Sequence, residues 1–380
     1  MSEKSAATKG LEGIIAAKTR LSDVRGDEGK LIYCGYDINE LAGNATYEEV
    51  VFLLYYNHLP NAAELADFKE TLVGFRDLPK GVVDVIQKLP KTAPPMHALR
   101  TLVSLLGCYD TTAEDLSVDY QRRKGLRLIA QVPVIVAFFH RHREGNELVA
   151  PDSSLGEAAN FLWMINGEKP SVDAEKTLDV CYVLHADHGM NASTFSARVT
   201  IATLSDMYSA ITTAIGTLKG PLHGGANEGV IKMLKEIGEL DKVDAYIDDA
   251  LAQKKKIMGI GHRVYKVLDP RAPHLKKMAQ KLCAELGDKK WIMMSERIAE
   301  LMKEKKGLEA NVDFYSATVY FSLGIPTDLF TPIFAIARTS GWTAHVLEQL
   351  TDNRLIRPQS EYTGPVGLKF EPIDERNRTN

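Results

Sequence analysis

Apolar side chains recur at spacings of three and four residues along most of the chain, a pattern typical of amphipathic helices. Prolines interrupt this pattern at Pro60, Pro79, Pro90, Pro94 and Pro95, and they predict the ends of the early helices. We therefore predict an all-α fold. The helical segments, in chain order, are YEEVVFLLYYNHL, AAELADFKETLVGF, MHALRTLVSLLG, LGEAANFLWMING, AEKTLDVCYVLHADH, STFSARVTIATLSDMYSAITTAIGTL, NEGVIKMLKEIG, KVDAYIDDALAQKKK, PHLKKMAQKLCAELG, WIMMSERIAELMKEKK, YSATVYFSLG and LFTPIFAIARTSGWTAHVLEQL.

Two segments depart from the amphipathic pattern. Near the N-terminus, IIAAKTRLSDV and KLIYCGY flank the turn sequence RGDEG, and such runs joined by a glycine-containing turn predict a small β-hairpin. Between about Tyr120 and Arg143, the second half of the segment is apolar on most sides. This predicts a buried helix, which Pro133 should kink.

The helices also change in character along the chain, and this predicts two domains. From about Ala226 to Lys306 they are short, charged and amphipathic, whereas segments 190–218 and 327–350 are longer and more apolar. We therefore predict a large helical domain formed by residues 1–221 and 327–380, with a smaller domain, 222–326, inserted between its two parts. The glycines beside the first crossing would serve as a hinge for closure over a ligand.

Composition excludes several classes of protein. The 380 residues carry a formal net charge of −4 without a basic patch, so nucleic acid is not an expected partner. The lysine runs at 254–256 and 303–306 are predicted as solvated helix ends, with a phosphate-bearing ligand as the alternative. Four separated cysteines without a CxxC pair argue against a zinc site or a disulfide framework.

The same composition bears on location. No run of about eighteen apolar residues predicts a membrane span, and the segment MSEKSAATKGLEG lacks the apolar core of a signal peptide. We therefore expect a cytoplasmic protein that does not contact a membrane.

Two histidines lie on glycine-rich backbone. His223 is in KGPLHGGANEG, and His262 follows the turn in KKKIMGIGHRVY. Histidines that only fill a core usually lie on the apolar face of a helix, whereas bare backbone lets a ligand approach and offers its N–H groups. The GxG of the second segment lacks the strand context of a dinucleotide fold. Both histidines are therefore candidates for a small-molecule site.

A further pair of histidines, His185 and His188, lies three residues apart at a helix end before Gly189. An HxxH pair can bind a metal, but this segment lacks the glutamate of a zincin helix and a neighbouring third ligand. A structural histidine is the more common case, and no metal site is predicted.

One carboxylate and one guanidinium stand in apolar surroundings. Asp313 in NVDFYS is either the N-cap of a helix or a base whose pKa partial burial would raise. Arg338 lies inside an apolar helix, where an unpaired charge is costly. It therefore requires an anionic partner, either a carboxylate of the protein or one of a ligand.

Five segments resemble the signature segments of the citrate synthase family and follow the family's order: LHADHGMNAS, LKGPLHGGANE, KIMGIGHRVYKVLDPRA, NVDFYSA and ARTSGWTAHVLEQ. Their spacing is similar to that of the short dimeric form of bacteria and archaea. The resemblance extends from LIYCGYDINELA to NRLIRPQSEYTGP, nearly the whole chain. It implies the family's multi-helical two-domain fold and the condensation of acetyl-CoA with oxaloacetate and water. The related 2-methylcitrate synthases, which use propionyl-CoA, share these segments.

The resemblance implies roles for individual residues. His223 would donate to the thioester carbonyl of acetyl-CoA, and Asp313 would remove a methyl proton. His262 would polarise the ketone of oxaloacetate and protonate the new alkoxide. Oxaloacetate would be held by His188, Arg271, Arg338 and, from the other subunit of a homodimer, Arg357. Acetyl-CoA is the co-substrate, no permanently bound cofactor or metal is implied, and the residues that would contact CoA are Lys256, Ile257, Met258, Gly259, Ile260, Lys266 and Asn311.

Other interpretations stay open at this point. A metal-dependent hydrolase would use His185, His188 and His223 as ligands, and a non-catalytic helical scaffold would bind no acyl-CoA. We expect the dimer interface to include the helices around 96–108 and 193–218, because their sequences are too apolar all round for a solvated surface. The short N-terminus indicates no regulation by nucleotides.

Overall fold

The computed structural model describes residues 9–376, and helices dominate this part of the chain. The α-helices are α1 Ile38–Leu41, α2 Tyr47–Tyr56, α3 Ala62–Gly74, α4 Lys80–Ile86, α5 Pro95–Cys108, α6 Val118–Glu144, α7 Glu157–Asn166, α8 Val172–His185, α9 Ala192–Ile201, α10 Met207–Leu218, α11 Ala226–Ile237, α12 Val243–Ala252, α13 Ala272–Glu285, α14 Lys290–Lys306, α15 Val312–Ser322 and α16 Phe330–Thr351. The strands are β1 Ser22–Arg25, β2 Lys30–Tyr33 and β3 Tyr36–Asp37.

The all-α prediction with a small N-terminal hairpin is confirmed. β1 and β2 pair antiparallel, with Ser22 opposite Tyr33, and β3 extends the sheet by pairing antiparallel with β2. The predicted extent of the first strand is wrong, because residues 14–21 have no strand structure. Ile14 and Ile15 are 55% and 89% exposed, so their apolar side chains find no packed surface that would hold an extended strand.

Two long helices form the centre of the molecule. α16 spans 22 residues and is buried along almost its whole length, packed against α6, α8, α9 and α10. α6 is a single helix of 27 residues that continues through Pro133 with its middle buried, as the sequence predicts. A kink at Pro133 stays a prediction. Within residues 9–376, no helix is both long and apolar enough to span a bilayer.

The segment 193–218 is not one helix, as the sequence suggested, but two. α9 ends at Ile201, the backbone turns through Leu204 at φ 63°, and Asp206 begins α10 by accepting a hydrogen bond from the Ser209 N–H at 2.9 Å. An aspartate cap competes with a continuous helix at this point. The two helices then pack side by side.

The outer faces of these helices differ from the expectation of apolar residues all round. On α5, Arg100, Thr101 and Ser104 are exposed, and on α10 Thr213 is exposed beside the half-buried Gly216. Small and polar side chains therefore cover the outward faces, while the apolar side chains point into the core. These helices are therefore not apolar all round, and the dimer interface itself stays a prediction.

Helices α11 to α15 pack mainly on one another. α15 contacts α11, α13 and α14, and α12 packs on α14, while α13 and α15 also reach α8. The division into 1–221, 222–326 and 327–380 stays a prediction, and its first eight and last four residues lie outside the described residues. Near the two boundaries of 222–326, the chain segments are in contact, because Thr331 Oγ1 donates to Glu228 Oε1 at 2.7 Å.

A buried group of acids lies away from the glycine-rich loops. Arg76 donates to Oε1 of Glu157 from Nε at 3.1 Å and from Nη2 at 2.8 Å, and both side chains are buried. Glu48 accepts from the backbone N–H of Glu157 at 2.8 Å, while Glu157 Oε2 has no partner among the described residues. Burial raises the pKa of Glu157 to about 7, Arg76 opposes this shift, and Glu48 adds to it.

This shift predicts a pH-dependent contribution to stability. The pKa of Glu157 is higher in the folded state than in an unfolded chain, so its contribution is present below about pH 4.5 and is lost as pH rises through about 7. Glu157→Gln should therefore gain on the order of 2 kcal/mol in unfolding free energy relative to wild type between pH 5 and pH 8. Denaturant unfolding at both pH values measures this. The exposed control Glu147→Gln removes a surface carboxylate outside this group, and equal behaviour of the two variants would contradict the prediction.

Candidate active site

The loop that carries His262 is held by backbone contacts to the start of α15. Gly259 and Gly261 have φ of 74° and 77°, a region that favours glycine. Asn311 fixes the loop, because its backbone N–H donates to Gly259 O at 2.9 Å and its Nδ2 donates to Gly261 O at 2.8 Å. The loop therefore presents the imidazole of His262 from a fixed turn.

The protonation state of His262 follows from its neighbours. Its Nδ1 accepts from the backbone N–H groups of Val264 at 3.0 Å and Tyr265 at 3.1 Å. Backbone N–H groups only donate, so the proton of the neutral ring lies on Nε2. Burial, with a smaller contribution from Arg271, lowers the pKa of His262 to about 4. His262 is therefore a neutral hydrogen-bond donor at pH 7.

His223 lies in a tight turn after α10. The Gly224 N–H donates to Leu218 O at 2.9 Å, and a Cβ at Gly224 would lie 2.5 Å from that oxygen, so only glycine fits. His223 Nε2 accepts from the Ser193 N–H at 3.3 Å and lies 2.7 Å from Ser193 Oγ, which accepts from Trp342 Nε1 at 3.1 Å. The proton therefore lies on Nδ1. Burial lowers the pKa of His223 to about 4, with a smaller contribution from Arg338.

His188 meets the His262 loop. Its Nε2 lies 3.1 Å from the hydroxyl of Tyr265, and its ring centroid is 5.5 Å from that of His262. Burial, followed by the charge of Arg271, holds the pKa of His188 well below its usual value. His185 points elsewhere, with Nδ1 2.8 Å from Cys181 O.

The two readings of Asp313 are resolved by Asn311. Asn311 is the N-cap of α15, since its Oδ1 accepts from the Asp313 N–H at 3.0 Å. The carboxylate of Asp313 is left free, and its Oδ1 is buried without a hydrogen-bond partner among residues 9–376. Burial raises the pKa of Asp313 to about 6, Arg271 and Arg338 oppose this shift, and Asp269 adds to it. Such a carboxylate is a base that titrates close to neutral pH.

Arg338 is a buried cation without a carboxylate partner. It is 1% exposed, its Nε donates to His185 O at 2.6 Å, and its guanidinium lies 4.7 Å from the ring centroid of Phe334. Within residues 9–376, no carboxylate lies within 4.0 Å of it. Burial lowers the pKa of Arg338 to about 10, and the charge of Asp187 opposes this. The group is poised for the carboxylate of a ligand.

Arg271 has a partner that the sequence analysis missed. Its Nε and Nη2 donate to Asp269 Oδ1 at 3.0 Å and Oδ2 at 2.8 Å, and both residues are almost fully buried. The pair holds the pKa of Arg271 above its ordinary value, although burial acts in the opposite direction. The sequence signal for this ion pair was the segment DPRA, in which the aspartate and the arginine are two positions apart. The ion pair orients the guanidinium, and its Nη1 makes no hydrogen bond to the described residues.

The remaining predicted contacts are only partly brought together. Arg357 is exposed in the irregular segment after α16. Lys256 and Lys266 are also exposed, whereas the side chains of Ile257 and Ile260 are 4% and 6% exposed. The isoleucines can therefore meet a ligand only through their backbone. Met258 is half-buried beside Gly259, and the amide of Asn311 is engaged by Asp313 and Gly261 as described above.

The N-terminal hairpin contacts the His262 loop and the turn before His188, a role that was not predicted from the sequence. Gly26 accepts from the Lys266 N–H at 3.1 Å, and a Cβ on Gly26 would lie 2.2 Å from Val264 O. The other end of the hairpin touches the turn before His188, where the Tyr33 hydroxyl donates to the carbonyl oxygen of Asp187 at 2.7 Å. The glycines of RGDEG were the available signal.

The ligand set of a metal-dependent hydrolase does not assemble. The ring nitrogens of His185, His188 and His223 face Cys181 O, Tyr265 and Ser193. Across residues 9–376, no three histidine, cysteine, aspartate or glutamate side chains converge as metal ligands do. What assembles is one basic carboxylate, two neutral histidine donors and two buried guanidiniums.

The chain is similar to known proteins over nearly its whole length. The family model described as "Citrate synthase, C-terminal domain" matches residues 10–359. The chain is 51% identical to a citrate synthase of Haloferax volcanii, with 97% of this chain and 98% of that protein covered. It is 43% identical to 2-methylcitrate synthase 1 of Corynebacterium glutamicum, over 98% of this chain and 99% of that protein.

A solved structure gives the same result for the fold. The citrate synthase of Thermoplasma acidophilum, in a ternary complex with carboxymethyl coenzyme A and oxaloacetate, superposes with a TM-score of 0.92 at 34% identity. The alignment covers 97% of this chain and 99% of that one. The chain belongs to the citrate synthase family.

Proposed function

We propose that this chain is a citrate synthase that condenses acetyl-CoA with oxaloacetate and water to give citrate and CoA. The observation that carries the proposal is Asp313, whose Oδ1 is buried without a hydrogen-bond partner among residues 9–376 and whose pKa is raised by burial, with the charges of Arg271 and Arg338 nearby. This combination suits removal of a carbon-bound proton next to a carbonyl.

The first step is enolisation of the acetyl thioester. Asp313 takes a methyl proton, and the Nδ1–H of His223 donates to the thioester oxygen. Because burial lowers the pKa of His223 to about 4, its ring is neutral at pH 7, and its Nδ1–H stabilises the developing negative charge as a hydrogen-bond donor. Asp313 acting alone would be too weak a base, so both groups must act together.

The second step is attack of the enol on the ketone of oxaloacetate. The Nε2–H of His262 polarises this ketone and protonates the alkoxide that forms. Arg338 and the free side of Arg271 bind the carboxylates of oxaloacetate, and His188 contacts the substrate between them. Hydrolysis of the resulting thioester releases citrate and CoA, and water must be excluded until then.

The CoA moiety is placed along the loop that precedes His262. The backbone of residues 257–260 would face the adenine, with Lys256 and Lys266 exposed beside it for the phosphates. Asn311 supports this loop through Gly261 O. Acetyl-CoA is a substrate here, and no resident cofactor is proposed.

We propose that the enzyme is a homodimer whose second subunit supplies Arg357. Two features support this: Arg357 is exposed on its own chain, and the C-terminal segment exposes several large apolar side chains. The exposed fractions are 55% for Leu355, 69% for Tyr362, 83% for Val366, 79% for Leu368, 84% for Phe370 and 77% for Ile373. Burial against a second copy would remove this surface from water.

A cytoplasmic location is part of the proposal. Cys34, Cys108, Cys181 and Cys283 are all free thiols, which suits a reducing compartment.

The alternative substrate is propionyl-CoA, which the similarity to 2-methylcitrate synthases of Corynebacterium glutamicum keeps in consideration. Thiol release measured with oxaloacetate and either acyl-CoA separates the two functions. The proposal expects a higher kcat/KM with acetyl-CoA. A higher value with propionyl-CoA would assign 2-methylcitrate synthesis, and no thiol release with either would contradict the family's reaction altogether.

Asp313→Asn should abolish condensation while leaving oxaloacetate binding intact, because the amide cannot accept the methyl proton. We expect turnover to fall by more than about 100-fold, with calorimetry giving an oxaloacetate affinity close to that of wild type. Turnover within about tenfold of wild type, a change of only about 1.4 kcal/mol in the barrier, would remove Asp313 from the role of base.

The pH dependence should report the titration of Asp313. The base must be ionised, so kcat/KM should fall as pH drops through about 6, the pKa to which burial raises this group. The histidines with pKa values of about 4 stay neutral across this range and add no second transition there. A profile that is flat between pH 5 and 8 would contradict this assignment.

Mixed dimers test whether Arg357 acts across the interface. Arg357→Ala and Asp313→Asn should each be inactive alone. After subunit exchange of a one-to-one mixture, half the dimers are mixed and each has one intact site, so about a quarter of wild-type activity should return. No recovery after confirmed exchange, or a monomeric mass in light scattering, would contradict the shared site.

A further inference from the structure

A buried polar chain lies behind the histidines, and its members do not face the substrate. Asp187 is 0% exposed in the turn that leads from α8 to His188. Its Oδ2 accepts from Ser22 Oγ of the hairpin, and from the Gly189 N–H at 3.3 Å. The third neighbour of this oxygen is His345 Nε2 on α16, at 3.2 Å. The carboxylate therefore fastens both sides of the turn that presents His188.

The tautomer of His345 is set by the next member of the chain. Its Nδ1 lies 3.0 Å from Nη1 of Arg198, a group that can only donate. Nδ1 must therefore accept, and the ring proton lies on Nε2, directed at Asp187. Both His345 and Arg198 are buried, with 0% and 3% of their surface exposed. A hydrogen bond from a neutral imidazole to a buried carboxylate is a strong and directional contact.

Arg198 extends the chain to the helix that supports the other histidine. Its Nη1 also lies 2.7 Å from Glu348 Oε2, and its Nε donates to Gln349 Oε1 at 3.0 Å. Arg198 belongs to α9, whose first turn carries Ser193, the residue in contact with His223 Nε2. These contacts of Arg198 therefore hold α9 against α16. They also fix the position of Ser193, which contacts His223.

One face of α16 thus contacts three parts of the site. Arg338 faces the substrate position, Trp342 bonds Ser193, and His345 bonds Asp187, at spacings of four and three residues along one helical face. Gly341 lets the helix come close: its N–H donates to Ala186 O at 3.1 Å, and a Cβ there would lie 2.3 Å from that oxygen.

We propose that Asp187, His345 and Arg198 are positioning residues for the reaction, which fix the turn of His188 and the helix behind His223 against a single face of α16. The inference rests on the proposed function and deepens it. The charge of Asp187 also faces Arg338 and favours its charged form, the form needed to bind a carboxylate of oxaloacetate. Groups that orient residues of a site without touching substrate commonly change activity 10-fold or more when lost.

His345→Leu removes both hydrogen bonds at similar volume, and His345→Gln keeps one donor and one acceptor. We expect His345→Leu to weaken oxaloacetate binding in calorimetry by about 10-fold and to lower kcat by a similar factor. His345→Gln should stay within about threefold of wild type on both measures. The matched control is Thr343→Val, also buried on α16, which removes the hydrogen bond to the Tyr55 hydroxyl but no contact to Asp187, His345 or Arg198, and it should bind oxaloacetate as wild type does.

Two results would overturn the proposal. One is a His345→Leu protein that melts at a lower temperature but binds and turns over like wild type, since its role would then be structural only. The other is a His345→Gln protein as impaired as His345→Leu. Should His345→Leu fail to fold, Ser22→Ala removes one hydrogen bond from Asp187 at the edge of the network. It should weaken oxaloacetate binding about threefold, and unchanged binding would contradict the proposal.

A spectroscopic test separates this inference from the proposed function. In protein labelled with ¹⁵N-histidine, the His345 resonance, assigned by its loss in His345→Gln, should show the proton on Nε2. A proton on Nδ1 would overturn the network whatever the activity. If wild type shows the Nε2 proton but neither binds oxaloacetate nor releases thiol, the proposed function fails and the network stands as a structural feature only.

Discussion

A carboxylate with one oxygen buried and left without a hydrogen-bond partner is the constraint on which the rest of this structure depends. An unpaired buried oxygen costs about 1–3 kcal/mol, and a charged group costs more. Asp313 is held in this state because Asn311, and not Asp313 itself, caps α15. The nearby charges of Arg271 and Arg338 keep the carboxylate ionisable, so its pKa rises only to about 6.

The donors around this base are set by backbone contacts in the same way. Two N–H groups take the Nδ1 lone pair of His262, and the Ser193 N–H takes the Nε2 lone pair of His223, so the two rings present opposite nitrogens as donors. Neutral donors of fixed tautomer stabilise negative charge as it develops and need little reorganisation. The glycines around both histidines serve this geometry, since Gly224 and Gly261 allow turns that a side chain would block or strain.

The sequence predicted the helical fold, and it singled out candidate site residues because each carried a local signal. Glycine-rich backbone marked His223 and His262, and apolar neighbours marked Asp313 and Arg338. The misses were of a different kind. Ser193 and His345 meet their partners only after helices distant in sequence pack together, and no spacing in one segment encodes that contact. The break at Leu204 had a local signal in Asp206, but the helical pattern on both sides outweighed it.

The central claim is that burial makes Asp313 a base near neutral pH, and its titration measures this most directly. In protein labelled with ¹³C-aspartate, the carboxyl resonance of Asp313 can be assigned by its loss in Asp313→Asn and followed with pH. The account predicts a midpoint of about 6. A midpoint at or below about 4, the ordinary value for an exposed aspartate, would contradict it.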